Sequence, residues 1–149
     1  MFRVNRQTDY AIRVLLDLAR QPAGTRRPTR MIGKEMNIPG AFLPRIVAQL
    51  AQAGLLLTFQ GRDGGLELPR PAQQITLRQI VEAVEGPLVI SECMLGEQTC
   101  PFEDACPVQT CWVRVQEVFV KELERTTLAN LARHAGRTSG PQAVLPGAV

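Results

Sequence analysis

Apolar positions recur at helical spacing from the start of the chain. Tyr10, Ala11, Val14, Leu15 and Leu18 predict a helix from Thr8 to Ala19, with Thr8 or Asn5 as its cap and Gln21-Pro22-Ala23-Gly24 as its end. A second, short helix is expected from about Thr29 to Met36. The turn Asn37-Ile38-Pro39-Gly40 then leads into a third, which reaches about Ala53 and closes on Gly54. Phe42, Leu43, Ile46, Val47 and Leu50 supply its inward stripe, leaving Arg45, Gln49 and Gln52 outward. Inside a helix Pro44 would remove a hydrogen bond and cost about 3 kcal/mol, so regular helix is expected to start near Leu43 with Pro44 in its first turn.

The pattern then changes period. Leu55–Phe59 and Leu66–Leu68 read as two short strands around the glycine-rich turn Gln60-Gly61-Arg62-Asp63-Gly64-Gly65. Two helices around a tight turn have the helix-turn-helix form, which a plain helical hairpin shares; a β-hairpin directly after them is the winged-helix arrangement. Thr76 and Gln79 form a capping box for a helix to Glu85, stopped by Gly86-Pro87. Beyond a segment holding every cysteine, Val108, Trp112, Val115, Phe119 and Leu123 form the stripe of a long helix from about Val108 to Ala132. The head is too small to cover such a stripe, so a partner helix, and hence a homodimer, is expected. The chain therefore divides into a winged helix-turn-helix head (1–86), a cysteine-rich loop (87–111), a dimerisation helix (108–133) and a disordered tail (134–149). The fold class is mainly α with a small β-hairpin wing.

Composition adds little until the chain is split. The 149 residues are 45% hydrophobic and 21% charged, ordinary for a globular protein. Residues 1–71 hold eleven Lys/Arg against five Asp/Glu, a balance of +6. Residues 72–149 hold six against nine, a balance of −3. A basic head on an acidic body suits polyanion binding. No signal peptide opens the sequence, and no apolar run approaches the roughly 20 residues of a spanning helix, so a cytoplasmic protein away from membranes is expected.

Cys93, Cys100, Cys106 and Cys111 fall within nineteen residues, and no other cysteine exists. In a reducing compartment such clustering favours metal or an iron–sulfur cluster over disulfides. The spacing Cys-x6-Cys-x5-Cys-x4-Cys is wider than the usual zinc knuckle, and only Cys106/Cys111 comes near that form. Glu92, Glu97, Glu103 and Asp104 lie among the thiols, with no basic residue between Arg78 and Arg114, a poor setting for an activated catalytic thiolate. The sole histidine, His134, is distant, and no phosphate-cradling loop is present, so an enzyme is not expected. An electron carrier or thiol-redox protein would not need the wing or the basic head.

From Val4 to about Ala132 the chain resembles the bacterial winged-helix iron–sulfur transcription regulators of the Rrf2 family. The resemblance rests on Thr8-Asp9-Tyr10-Ala11, on Ile38 to Leu56, on Gly61-x-x-Gly64-Gly65-x-x-Leu68-x-x-Pro71, and on a three-cysteine loop before a long helix. It implies a homodimer on a palindromic double-stranded DNA operator, with each cluster near the partner's first helix. It further implies Cys93, Cys100 and Cys106 as thiolate ligands, with Asp9 completing a 4Fe–4S cluster in trans, as in the nitric-oxide-sensing NsrR-like branch. The IscR-like branch has a histidine where Gln109 stands, and so does not match here. Cys111 is extra and remains the alternative fourth ligand. The first cysteine gap is one residue longer than is common in the family, and Gln60 replaces the arginine that usually opens the wing motif.

The expected function is that of a cluster-dependent repressor responding to nitric oxide, redox or iron–sulfur status, with 4Fe–4S preferred to 2Fe–2S. The alternative is a zinc-stapled DNA-binding protein. Arg45, with Ala41, Phe42 and Gln49, is expected at the major groove, Arg62 on the wing, and Arg3, Arg6 and Arg30 at phosphates.

Overall fold

In the computed structural model residues 4–95, 100–102 and 105–134 are described. Arg3, Glu97, Glu103, Asp104 and the tail from residue 135 lie outside them. Helix α1 (Arg6–Ala19) is capped by Asn5, whose side chain accepts from the Thr8 amide, and it buries Ala11, Val14, Leu15 and Leu18. Of the two cap candidates read from sequence, Asn5 performs the task. Thr8 instead lies buried and hydrogen-bonds Glu85, whose carboxylate also accepts from the Asn5 amide at 3.0 Å and from its Nδ2 at 2.9 Å.

Helices α2 (Thr29–Glu35) and α3 (Leu43–Gln52) are joined by a turn in which Asn37 adopts φ 53° and the Ile38 amide donates to the Gly33 carbonyl at 2.8 Å. Gly33 packs closely on α3, and a Cβ there would stand 2.6 Å from Leu43 Cδ1, so the Leu43 side chain would have to shift. Pro44 sits in the first turn of α3, as its ring geometry demands. Strands β1 (Leu57–Phe59) and β2 (Gly65–Glu67) pair antiparallel, with Thr58 opposite Leu66. Arg27 adds a third rung: its amide donates to Leu66 O at 2.9 Å and its carbonyl accepts from Leu66 N at 2.7 Å. The hairpin is thereby fastened to the segment entering α2.

The Arg27 side chain extends that fastening into the head. It donates from Nε and Nη2 to Asp17 at 3.0 and 3.1 Å, and from Nη2 to Glu35 at 2.6 Å. The bond to Asp17 is the chief reason the guanidinium pKa is raised; desolvation opposes it, and Glu35 adds to it.

A short 3-10 turn, Ala72–Gln74, leads to α4 (Leu77–Glu85), where Thr76 and Gln79 complete the capping box. The predicted long C-terminal helix divides in two. Helix α5 (Gln109–Arg125) ends where the Leu77 amide donates to Thr126 O and the Leu128 amide donates to Ile75 O, both at 2.8 Å. A new helix, α6 (Leu128–His134), starts with Thr127 and Asn130 capping one another. Helical spacing continues through the break, so periodicity alone hides it. Threonine's competing backbone bonds and the bridge to residues 75–77 stop α5, and Leu128 enters the core. Helix α1 packs against α2, α3, α4 and α6, and α5 rests on α4.

Candidate functional site

Two features stand out: the open faces of α3 and the wing, and the cysteine segment between α4 and α5. In α3, Leu43, Ile46 and Leu50 are buried, while Ala41, Pro44, Arg45, Ala48 and Gln52 are exposed. The stripe read from the sequence placed Phe42 inward and Gln49 outward, and both placements are corrected, although Phe42 is thereby left exposed on the side where a base contact was also expected of it. Phe42 precedes the first turn, is 36% exposed, and meets the edge of the Tyr10 ring with centroids 5.2 Å apart. Gln49 lies on the flank, half-buried, and its Oε1 has no hydrogen-bond partner among the described residues. The outward arc runs through Ala41, Arg45, Ala48 and Gln52 instead.

Arg6, Arg30, Arg45 and Arg62 are exposed, and among the described residues none of them has an ion-pair partner. Arg13, Arg26, Arg27, Arg78 and Arg125 all have one. Cations without carboxylates remain available to phosphate. Arg62 stands on the wing loop, closed by the Gly64 amide donating to Gly61 O at 3.1 Å. Gly65, at φ 146°, lets the wing close on its neighbour, since a Cβ would lie 2.4 Å from Arg27 O.

All four cysteines are free thiols. Cys93, in the 3-10 turn Glu92–Met94, is exposed with its Sγ 3.1 Å from Ser91 Oγ; Cys100 and Cys106 are half-buried; Cys111 is exposed in the first turn of α5. Among the described residues, no three Cys, His, Asp or Glu side chains converge on one point. The chemistry of the donor set still fits a thiolate-bound cofactor, because these are soft ligands confined to one stretch without cations between them. Gln116 of α5 anchors the entry to this stretch: its Oε1 accepts from the Ile90 amide at 2.9 Å, and its Nε2 donates to Leu88 O.

Asp9 pairs with Arg13 at 2.7 Å. The Arg13 guanidinium lies 5.6 Å from the Tyr10 ring centre and donates to Met36 O, at the helix-turn-helix turn, at 3.3 Å. This connection was missed in the sequence, although Asp9 and Arg13 at i,i+4 were its visible trace. The Asp17–Arg27 pair was missed too; an acid within the apolar arc of α1 was the signal.

Helix α5 buries none of its residues. Trp112, Val113, Val115 and Val118 are exposed, Val118 to 69%, while Phe119 and Leu123 of the predicted stripe are half-buried. Among the described residues no helix is long and apolar enough to cross a membrane.

Residues 4–134 match the Rrf2 family model, described as an iron-dependent transcriptional regulator. The chain is 34% identical to Protein aau3 of Rhizobium meliloti, over 88% of this chain and 85% of that protein. It is 30% identical to the HTH-type transcriptional regulator NsrR of Halalkalibacterium halodurans, over 83% and 86%. In fold it is similar to CymR, the global cysteine regulator of B. subtilis, with a TM-score of 0.73 at 24% identity, over 90% of this chain and 98% of that one. A match spanning the head, the thiol segment and both C-terminal helices shows that the chain belongs to the Rrf2 family of winged-helix, DNA-binding transcription regulators.

Proposed function

We propose that this chain is a cytoplasmic, homodimeric repressor whose grip on a palindromic operator depends on an iron–sulfur cluster held by Cys93, Cys100 and Cys106. Asp9 of the partner subunit completes the set, with Cys111 as the alternative fourth ligand. The observation that carries this is the placement of three free thiols between α4 and α5 and a fourth in the first turn of α5, whose Trp112, Val115 and Val118 are exposed. Similarity to an NsrR relative supports the same reading. When bound, a cluster supplies a redox- and nitric-oxide-reactive link that can be made or lost.

The chain's own residues carry the consequence. Covering Trp112, Val115 and Val118 with a second α5 fixes the spacing of two heads, which a palindrome requires. Arg45 on the open arc of α3 reads bases, and Arg6, Arg30 and Arg62 neutralise phosphates. The Asp9 carboxylate holds Arg13, and Arg13 holds the Met36 carbonyl at the turn before α3. Were Asp9 to hold a cofactor, its carboxylate would be shared with Arg13, and Arg13 would link the site to the turn before α3.

The test is purification without oxygen, followed by iron, sulfide and zinc analysis on wild type, Asp9→Ala and Cys111→Ser. Brown protein with iron and acid-labile sulfide, destabilised by Asp9→Ala and barely altered by Cys111→Ser, is expected. Cluster loss only in Cys111→Ser would make the site all-thiolate, and colourless protein with one zinc would replace the sensor with a zinc staple.

A further inference from the structure

Arg26 engages the wing at three points. Its guanidinium carbon lies 3.5 Å from the centre of the Phe59 ring, a flat stacking distance. Its Nη1 donates to Asp63 O at 3.3 Å, and its Nε lies 3.8 Å from Glu67 Oε2. One side chain thus touches the ascending strand, the tip loop and the foot of the descending strand. Phe59 is open to it because its cross-strand partner is Gly65, which has no side chain to cover the ring. Glycine at 65 also lets the backbone carrying Arg26 approach close enough for the stack to form.

A two-stranded hairpin of three residues per strand is marginal without outside support. Arg27 ties the wing to the head through the backbone at Leu66, but that rung lies on β2 and does not reach the loop 60–64, which among the described residues has only its own Gly64–Gly61 backbone bond. We propose that Arg26 is the positioning residue of the wing, stacking on Phe59 and holding the Asp63 carbonyl so that Arg62 is presented to DNA in one orientation. Arg62, without a partner, makes the contact; Arg26, with its ring, carbonyl and carboxylate engaged, does not. The DNA half of this inference rests on the proposed wing contact of Arg62, and the bracing half does not.

The experiment uses the full-length protein in two arms. In the first, limited trypsin digestion followed by mass spectrometry measures cleavage after Arg62. Arg26→Ala and Phe59→Leu should each speed that cleavage about fivefold, while Phe59→Tyr, which keeps the ring face, should not. An unchanged melting temperature in all three variants shows that the effect is local. Cleavage unaffected by Arg26→Ala would overturn the proposal. In the second arm, DNA affinity is measured for Arg26→Ala, Arg62→Ala and the double variant. Arg26→Ala should weaken binding in the wild-type background and have no further effect once Arg62 is gone. Additive losses with a reduced salt slope from each would mean that Arg26 itself meets phosphate, and would overturn the positioning role. Faster cleavage combined with no effect of Arg62→Ala on DNA would uphold the brace and refute the proposed wing contact instead.

Discussion

Replacing Asp17 by asparagine probes the strongest polar tie in the head. The Asp17 side chain is 4% exposed and takes two hydrogen bonds from Arg27, itself 14% exposed. Asparagine has nearly the same shape but accepts through one oxygen, and it turns an amide N–H₂ toward a guanidinium. Removing one partner of a buried pair costs about 3–5 kcal/mol, because the other charge is left without compensation. Here Glu35 still holds Arg27 at 2.6 Å from a half-exposed position, so the lower end, about 3 kcal/mol, applies. For a chain of this size, that corresponds to a melting temperature lower by about 6–12 °C. Urea unfolding followed by circular dichroism should show a lower midpoint with an unchanged slope. The exposed Glu122–Arg125 pair is the control, and Glu122→Ala should change stability by less than about 0.5 kcal/mol. If Asp17→Asn proved as harmless as Glu122→Ala, the Arg27 network would not fasten wing, α1 and α2 together.

Three further outcomes are expected. Gly65→Ala forces a Cβ to 2.4 Å from Arg27 O at φ 146°, so it should destabilise the wing and weaken DNA binding more than Arg62→Ala does, as measured by fluorescence anisotropy. Arg45→Ala should cost about 1–3 kcal/mol at the operator and narrow the gap to random DNA, whereas Arg62→Ala should weaken all sequences and lower the salt slope by about 0.9. Gln116→Leu removes the anchor on Leu88 and Ile90, and should speed cluster loss under chelator while leaving thermal stability nearly unchanged.

The parts of the fold that stood out in the sequence are those where local chemistry and tertiary packing agree. Thr76 with Gln79 and Pro44 at a helix start each favour one local structure, and the glycines at 61 and 65 mark a turn whose positive φ other residues rarely adopt. The break at Thr126–Thr127 was hidden because its cause lies fifty residues away, in the backbone of 75–77. Phe42 was misplaced because it precedes the first turn of α3 and meets only the edge of Tyr10, a residue on another helix. The crowding of the thiols, on which the proposed cofactor site rests, is plain in the sequence, but whether Asp9 would complete that site is not, because spacing does not encode contacts between distant elements. The Arg13–Met36 bond and the Arg26 brace were likewise illegible, since each joins a side chain to a backbone carbonyl across elements.

The most direct measurement is operator affinity of the anaerobically purified protein before and after its cofactor is removed, at one salt concentration, on a duplex selected from a random pool. A coupling of about 1–3 kcal/mol is typical between linked sites, so the cofactor-loaded dimer should bind about 5–150-fold more tightly than the stripped one. Arg13→Ala should shrink that ratio, because Arg13 joins Asp9 to the turn before α3. Equal affinities in the two states would contradict cluster-dependent regulation and leave a DNA-binding protein whose thiols serve another purpose.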